Sequence, residues 1–322
     1  HSAAGDRAND AVRVDANQIR ARVVGEGGNL GWTQAARIEY ARAGGLINSD
    51  FLDNLAGVAT SDREVNIKIL LDRIVRRGQL DVDARNELLA SVSEEVAELV
   101  LDISRTQNQG LADACHDAPA QIAVHRELIT RLEADGVLHR GEDDIPSDQE
   151  LQAMEANGEG LVCPELGMLM ALEKNHLAEE LLATGLPDDP YLVHRLVSYF
   201  PAVLQQRFAD ELAAHPLARE IISTVAANRF VDSQGIGVAN QLMDETGRGL
   251  PEVFRAQLAA RNLLDAGLLE IRLSRSDLPK AEQVRLRVQV RSMVHQIARW
   301  LLRTQPRIDV TAIVDHLKPG LM

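Results

Sequence analysis

Several residue types are scarce in this chain of 322 residues, and each scarcity excludes a class of protein. Aromatic residues make up 3% of the sequence, and 48 acidic residues outnumber 34 basic ones, so the chain lacks the stacking rings and positive charge of a nucleic-acid-binding protein. No run of 18 apolar residues occurs, which argues against a membrane-spanning helix. The apolar fraction of 45% is nevertheless ordinary for a globular protein with a core.

Cysteine is also scarce. Cys115 and Cys163 are too few and too far apart in sequence to form a recognisable metal or redox motif. They fit a reducing compartment, so we expect a cytoplasmic protein and no bound metal. Residues 1–16 are small and polar, and they predict a disordered lead-in or the remnant of a tag. Since no methionine opens the chain, we expect it to be a piece of a longer protein.

Residues 17–78 have the alternating pattern of strands and helices that is typical of an open α/β sheet. Ile19, Ala21 and Val23 alternate with other residues and predict a strand. That strand enters the glycine-rich segment Gly-Glu-Gly-Gly-Asn-Leu-Gly at 25–31. A glycine-rich turn between a strand and a helix is the place where such sheets bind nucleotides, although similar turns are common without a ligand.

Helix signals follow on both sides of residue 78. Thr33 predicts the N-cap of a helix over about 34–43, and Ser61 with Glu64 predicts a capping box for the next helix. Residues 79–322 predict almost only amphipathic helices joined by short loops, as in a helical bundle.

The segment at 25–31 has the chemistry of a cofactor loop. Gly27 and Gly28 would let the backbone approach a ligand closely, and the helix that starts at Thr33 offers unpaired N–H groups. Asn29 could donate to and accept from a ribose or an amide. The spacing departs from the Gly-x-Gly-x-x-Gly fingerprint of dinucleotide-binding proteins, so a different nucleotide-binding protein is an alternative interpretation.

Several segments together resemble the glutamate dehydrogenases, and in particular the large bacterial NAD-dependent class. The most specific are Val24-Gly-Glu-Gly-Gly-Asn29, Gly44-Gly-Leu-Ile-Asn48, Asp53-Asn-Leu-Ala-Gly-Val58 and Ser61-Asp-Arg-Glu-Val-Asn-Ile-Lys-Ile-Leu70. Downstream, the similarity includes Leu186-Pro-Asp-Asp-Pro-Tyr191, Tyr199-Phe-Pro201, Gln206-Arg-Phe-Ala-Asp210 and Arg219-Glu-Ile-Ile222. The resemblance covers nearly the whole chain from about residue 18 onward.

The resemblance implies a role for three side chains. Asn29 and Asn54 match family residues that lie at the nicotinamide end of NAD, and Ser61 matches a serine that binds the side-chain carboxylate of glutamate. Together with Gly27 and Gly28, they form the predicted cofactor and substrate site. The implied reaction converts L-glutamate to 2-oxoglutarate and ammonium, with NAD as the cofactor.

The catalytic groups of the resembled family have no counterpart here. That family uses lysines, an aspartate and a separate pyrophosphate loop, whereas the lysines of this chain, Lys68, Lys174, Lys280 and Lys318, lie outside such a motif. We therefore expect no catalytic residue in this chain and no activity from it alone. The full protein would be a homo-oligomeric enzyme.

The predicted fold is an α/β, Rossmann-like segment of a partial nucleotide-binding domain, residues 17–78, followed by a large all-α domain, residues 79–322. The alternative is a non-catalytic helical module for interaction or oligomerisation, because nothing in residues 79–322 points to chemistry.

Overall fold

A computed structural model describes residues 12–320, apart from the side chain of His194. Most of the predicted lead-in, residues 1–16, therefore lies outside the described residues, and Ala16–Gln18 forms a 3-10 helix. The chain divides into two compact units. Unit 1 takes its described residues from His1–Leu55 and Leu111–Leu172, and unit 2 from Ala56–Gly110 and Glu173–Met322.

Helices dominate the described residues. In chain order the first elements are β1 (Val23–Val24), α1 (Gln34–Arg42), β2 (Leu46–Ile47), α2 (Asp50–Asp53), α3 (Leu55–Arg76), α4 (Val82–Ser91), α5 (Ser93–Asp117), α6 (Ile122–Ala134) and α7 (Asp148–Ala156). They are followed by α8 (Cys163–Leu182), α9 (Pro190–Tyr199), α10 (Ala202–Arg207), α11 (Ala209–Ala213), α12 (Ala218–Gln234) and α13 (Val238–Thr246). The last helices are α14 (Leu250–Leu263), α15 (Ala266–Ser274), α16 (Lys280–Thr304) and α17 (Val310–Leu317).

The prediction of an α/β, Rossmann-like segment is wrong. β1 and β2 pair in parallel, Val23 with Leu46 and Val24 with Ile47, but each strand has only two residues. One face of the pair is open, since Val23 is 65% and Leu46 is 62% exposed. Two strands of this length bury too little surface to form a sheet layer. The described part of the chain is therefore a helical fold with one short parallel pair.

The helix starts were predicted with mixed success. Thr33 caps α1 as expected, because its Oγ1 accepts a hydrogen bond from the Ala36 N–H at 3.2 Å. The capping box at Ser61 is wrong. α3 already begins at Leu55, so Ser61 lies in its second turn, where the N–H groups are paired within the helix.

Unit 1 contains a small apolar cluster beside the strand pair. Ala16, Tyr40 and Ile47 are buried together, and the Tyr40 hydroxyl donates to the Ala21 carbonyl oxygen at 2.5 Å. Gly45 makes room for the Tyr40 ring, because a Cβ at Gly45 would lie 2.1 Å from a ring carbon. Farther along the chain, the helices of unit 1 bury Leu128, Ile129, Leu132, Leu151, Leu166 and Leu169.

A disulfide joins the two cysteines of unit 1. Cys115 lies in the last turn of α5 and Cys163 is the first residue of α8, with their Cα atoms 5.6 Å apart. This disulfide was not predicted, because a single sequence does not reveal whether two cysteines 48 residues apart meet in the fold.

Unit 2 has a larger core of apolar helix faces. α3 contributes Leu70, Leu71 and Ile74, none of which is exposed. Phe230 of α12 stacks on Phe254 of α14, with ring centroids 4.6 Å apart. α16 adds Val294, Ala298, Leu301 and Leu302 from one of its faces.

Two structural features are absent from residues 12–320. None of the helices in this range combines the length and the apolar character that a membrane crossing requires. Nor do three or more histidine, cysteine, aspartate or glutamate side chains of this part of the chain converge as a metal site would require.

Candidate functional site

The glycine-rich loop, residues 25–31, connects β1 to the start of α1 in unit 1. Gly27, Gly28 and Asn29 are exposed. Leu30 is 84% exposed and has a φ of 59°, in the left-handed region that branched and bulky residues avoid. A strained residue at an exposed loop tip persists only when its surroundings hold it, and such positions cluster at ligand-binding sites.

The two central glycines face open space. A Cβ added to Gly27 or Gly28 would meet no atom of the chain within 4 Å, and neither residue has a positive φ. The fold itself therefore does not require glycine at these two positions. A physical reason that remains for glycine at these positions is that a ligand approaches the backbone closely.

A buried ion pair anchors the first residues of the loop. Arg37 of α1 binds both oxygens of Glu26, with Nε at 2.5 Å from Oε1 and Nη2 at 2.9 Å from Oε2. Both residues are only 5% exposed. Burial alone would lower the pKa of Arg37, but the hydrogen bonds and the charge of Glu26 outweigh it and raise that pKa. The guanidinium of Arg37 is therefore held in its charged form.

Two aspartates fix the loop backbone from α2. The Leu30 N–H donates to Asp50 Oδ2 at 2.9 Å, and the Glu26 N–H donates to Asp53 Oδ2 at 2.8 Å. Arg37 Nη2 also lies 3.4 Å from Asp50 Oδ1. Burial would raise the pKa of Asp50, but the hydrogen bond from Leu30 and the charge of Arg37 lower it overall. Asp50 therefore stays ionised and keeps its hold on the strained residue of the loop.

Asn54 completes this network. Its Nδ2 donates to the Glu26 carbonyl oxygen at 2.7 Å and to the Asp50 carbonyl oxygen at 2.9 Å. Both hydrogens of the amide are thus engaged inside the protein. A ligand can meet this side chain only at its acceptor, Oδ1.

The structure brings only some of the predicted site residues together. Gly27, Gly28 and Asn29 share one exposed loop, and Asn54 is hydrogen-bonded to that loop in unit 1. Ser61 belongs to unit 2, where its side chain is exposed in the interior of α3. The anion-binding argument for Ser61 therefore fails in its original form, because Ser61 does not stand at a helix N-terminus.

The charged residues that hold the loop were not predicted from the sequence. Glu26 and Arg37 are 11 residues apart, and Asp50 and Asp53 stand 20 and 27 residues from the N–H groups they bind. The glutamate between two glycines and the arginine of the next helix were both visible in the sequence as candidates for an ion pair. Nothing in the sequence, however, indicated that these two residues pair with each other.

Comparisons with known proteins identify the family of the chain. A family model described as "Bacterial NAD-glutamate dehydrogenase, catalytic domain" matches residues 1–114, and one described as "Glutamate dehydrogenase, C-terminal" matches residues 158–322. The NAD-specific glutamate dehydrogenase of Mycobacterium tuberculosis is 42% identical to the chain over 303 residues, which are 94% of the chain and 19% of that protein.

Two more relatives carry the same name. The NAD-specific glutamate dehydrogenase of Halomonas elongata is 39% identical over 319 residues, 98% of this chain and 20% of that protein. The one from Pseudomonas aeruginosa is 39% identical over 324 residues, 100% of this chain and 20% of that protein. The chain thus spans about a fifth of the length of the curated relatives it matches. With its C-terminal half matched by one family model and its first 114 residues by the other, the chain belongs to the bacterial NAD-glutamate dehydrogenase family.

Proposed function

We propose that the chain is a region of an NAD-dependent glutamate dehydrogenase, which as a full-length protein oxidises L-glutamate to 2-oxoglutarate and ammonium. Residues 17–78 would end its cofactor-binding domain, and residues 79–322 would form its helical C-terminal domain. The names of the relatives support the reaction and the cofactor. The ranges matched by the two family models support the order of the domains.

One observation carries the proposal. The backbone of residues 25–31 is held from inside by Asp50, Asp53 and Asn54, while Gly27 and Gly28 face open space. A rigid loop with exposed glycines fits a dinucleotide, because its backbone can approach the ligand without losing much conformational entropy on binding.

In this proposal NAD, when bound, supplies the acceptor for the hydride of glutamate. Gly27, Gly28 and Asn29 would line the cofactor with backbone and amide groups. Asn54 would hold the loop through Nδ2 and accept a hydrogen bond from the nicotinamide end of the cofactor at Oδ1. Ser61 would donate its hydroxyl to a substrate carboxylate.

A replacement in the loop tests the cofactor site. Gly28→Val in the full-length enzyme places a branched side chain where the cofactor would pass, so we expect the KM for NAD to rise about tenfold or more, ~1.4 kcal/mol of binding. Gly141→Val is the matched control, because Gly141 also faces open space at an ordinary φ. An equal KM for both variants would contradict the placement of NAD at this loop.

The role of Ser61 has its own test. Ser61→Ala should raise the KM for glutamate and leave the KM for NAD unchanged, since only the substrate would lose a hydrogen bond. Ser93→Ala replaces another exposed helical serine and serves as the control. If both variants keep the parental KM for glutamate, Ser61 does not bind the substrate.

The catalytic groups would lie outside this chain. We therefore expect the 322-residue chain alone to form no NADH from glutamate and NAD, as followed by absorbance. Turnover near that of the full-length enzyme would contradict this assignment.

A second function, as a helical interaction module, is favoured by one face of α16. Met293 is 51% and Trp300 is 47% exposed, and with Gln296 and Ile297 they line a depression of about 220 Å³. The spacing of Leu286, Val290, Met293, Ile297 and Trp300 is the alternating four and three of a coiled-coil seam.

We propose a second copy of the protein as the occupant of this face, in a homo-oligomer. Lys280, Arg285 and Arg303 are exposed basic residues of α16, Arg291 and Arg299 are partly exposed, and Glu282 is the one acidic residue of this helix. The chain as a whole has a formal charge of −14, so an acidic surface of a second copy would complement the helix. Two α16 helices side by side would instead repel each other.

The mass of the full-length protein in solution tests this interface. Trp300→Glu should lower the mass measured by light scattering, because it buries a charge in the contact. Leu101→Glu alters an exposed leucine of α5 and should leave the mass unchanged. An unchanged mass in both variants, with normal circular dichroism, would rule out the α16 face as an oligomer contact.

A further inference from the structure

The disulfide of unit 1 lies next to groups that position the glycine-rich loop. Cys163 is followed by Pro164, whose carbonyl oxygen accepts hydrogen bonds from Gln34 Nε2 at 3.0 Å and from Ser49 Oγ at 3.5 Å. Gln34 is the first residue of α1, three positions after the last residue of the loop. Ser49 directly precedes Asp50. The start of α8 therefore touches both segments that hold the loop.

Two more contacts fix the start of α8 to the same segments. Glu165 is buried and accepts a hydrogen bond from Arg42 of α1, with Nη2 at 2.9 Å from Oε1. Gly167 packs against α2 so closely that a Cβ there would lie 2.7 Å from Leu52 Cδ1. Because α8 touches α1 and α2 at such short range, a shift of its first turn would be transmitted to both.

Cys115 and Cys163 are each partly exposed, so a small thiol can attack the bond. Cys163 opens a helix of 20 residues, and a helix N-terminus stabilises the thiolate that reduction releases there.

We propose that Cys115 and Cys163 form a reversible thiol–disulfide pair, and that its reduction loosens the glycine-rich loop by releasing the first turn of α8 from the end of α5. The co-reactant is a small thiol of the glutathione class. One thiolate attacks a sulfur of the pair and forms a mixed disulfide, and a second thiolate then displaces the protein thiol. Two electrons pass to the protein, which gains two protons as two thiols, and the small thiol leaves as its disulfide.

A redox titration tests the pair itself. The 322-residue chain is equilibrated in buffers with different ratios of reduced to oxidised glutathione, and its free thiols are alkylated and counted by mass spectrometry. We expect a reversible change from no free thiols to two across these buffers. Two free thiols under the most oxidising buffer, or none under the most reducing one, would overturn the proposal.

Hydrogen exchange tests the link to the loop. We expect the amides of residues 25–37 to exchange several-fold faster in the reduced chain than in the oxidised chain. Cys115→Ser and Cys163→Ser should each exchange at the reduced rate in both buffers. Ser49→Ala is the control for the contact between α8 and the segment that holds the loop. It removes one hydrogen bond to Pro164, so it should speed the exchange of these amides in both the oxidised and the reduced chain. Equal exchange in the oxidised and reduced chain would show that the disulfide does not act on the loop.

Neither measurement requires bound NAD, so each can succeed where the proposed function fails. The consequence for the enzyme does rest on the proposed function. If the loop binds NAD, the oxidised full-length enzyme should have a lower KM for NAD than the reduced enzyme, and Cys163→Ser should abolish that difference. A KM that is insensitive to glutathione, together with redox-dependent exchange of the loop, would contradict the cofactor assignment and leave the thiol–disulfide pair standing.

Discussion

The amide of Asn54 shows how one side chain can hold a whole loop. Its two hydrogens bind the carbonyl oxygens of Glu26 and Asp50, which are 24 residues apart in the sequence. Its planar amide offers two donors, and because both are used to hold the loop, Asn54 acts here as a positioning residue. A family role at the nicotinamide end of NAD is compatible with this, through Oδ1 alone.

Replacing that amide by a carboxylate should separate the contribution of the hydrogen bonds to stability from that of the side chain's shape. Asn54→Asp keeps the shape but removes both donors and places negative charge against two carbonyl oxygens. We expect a loss of about 1–3 kcal/mol in the free energy of unfolding, measured by urea denaturation of the chain. Asn157→Asp changes an exposed asparagine of unit 1 and should cost little. Equal stability of the two variants would mean that the bonds from Asn54 contribute nothing.

Helix packing in unit 2 depends on Gly110 of α5. A Cβ at this position would lie 2.7 Å from the carbonyl oxygen of Asp232 and 2.9 Å from its Cα, so α5 meets the backbone of α12 with no side chain between them. Glycine inside a helix usually costs about 1 kcal/mol relative to alanine. Here the close approach outweighs that cost.

Two glycine-to-alanine replacements should therefore have opposite effects. Gly110→Ala forces the backbones of α5 and α12 apart, and we expect the free energy of unfolding to fall by about 1–3 kcal/mol. Gly57→Ala, in α3 where a Cβ meets nothing within 4 Å, should raise it by about 0.5–1 kcal/mol. Urea denaturation of both variants measures the difference. A stabilised Gly110→Ala variant would contradict the backbone contact.

The sequence predicted individual helices better than the way they combine. The helix after Thr33 and the long helix near 279–303 appear as α1 and α16, because capping groups and apolar periodicity are local signals. The start of α3 was wrong because Ser61 and Glu64 satisfy a capping pattern that the helix does not use. The strand before the loop is shorter than predicted, because the alternating sequence pattern extends over residues that do not pair with a neighbouring strand.

The candidate site was predictable only in its exposed part. Gly27, Gly28 and Asn29 could be found because closely spaced glycines with an asparagine form a local pattern that indicates a turn. The ion pair of Glu26 with Arg37, and the hold of Asp50 on Leu30, depend on long-range contacts. A single sequence contains no signal for such contacts beyond the charges themselves.

Two buried ionisable groups make the stability of the whole chain depend on pH. His125 of α6 is 1% exposed, and within the described residues its Nδ1 has no hydrogen-bond partner. Burial lowers the pKa of His125 to about 4. The unfolded chain therefore takes up a proton at this residue near pH 6.5, while the folded chain does so only near pH 4.

Titration of His125 by itself should lower the free energy of unfolding by up to ~3 kcal/mol between pH 6.5 and pH 4, because protonation favours the unfolded chain. His125→Leu removes the titrating group, so on going from pH 6.5 to pH 4 this variant should gain stability relative to the parental chain by about the same amount. His139→Leu, at an exposed histidine of the same unit, should show no such gain. Chemical denaturation at a series of pH values gives the curve. An equal change in stability with pH in His125→Leu and in the parental chain would show that His125 does not contribute to the acid sensitivity.

The carboxyl group of Glu173, in α8, changes the stability with pH in the direction opposite to His125. It is 1% exposed, and both of its oxygens lie 3.0 Å from the Gly237 N–H. Burial raises the pKa of Glu173 to about 8, although the Gly237 hydrogen bond and the charge of Lys174 lower it in part. Lys174 is itself paired with Asp232 at 2.5 Å, which limits the positive charge available to Glu173.

The folded chain therefore keeps a proton on Glu173 that the unfolded chain releases near pH 4.5. The resulting stabilisation is complete below pH 4.5 and is lost as the pH rises to about 8. Glu173→Gln keeps an oxygen for the Gly237 N–H and cannot ionise, so this variant should lack the decline. Glu179→Gln, at an exposed glutamate of the same helix, should retain it.

His125 and Glu173 contribute slopes of opposite sign to the pH–stability curve. Between pH 4.5 and 6.5 their slopes oppose each other, whereas between pH 6.5 and 8 only Glu173 of the two still titrates. We therefore expect the parental chain to lose stability from pH 6.5 to pH 8, and Glu173→Gln to gain on it over that interval. Denaturation midpoints at these two pH values measure the difference. Suppose the stabilities of the parental chain and of Glu173→Gln change equally from pH 6.5 to pH 8. Glu173 is then already ionised in the folded protein at pH 6.5, and Lys174 stabilises its charge more than burial penalises it.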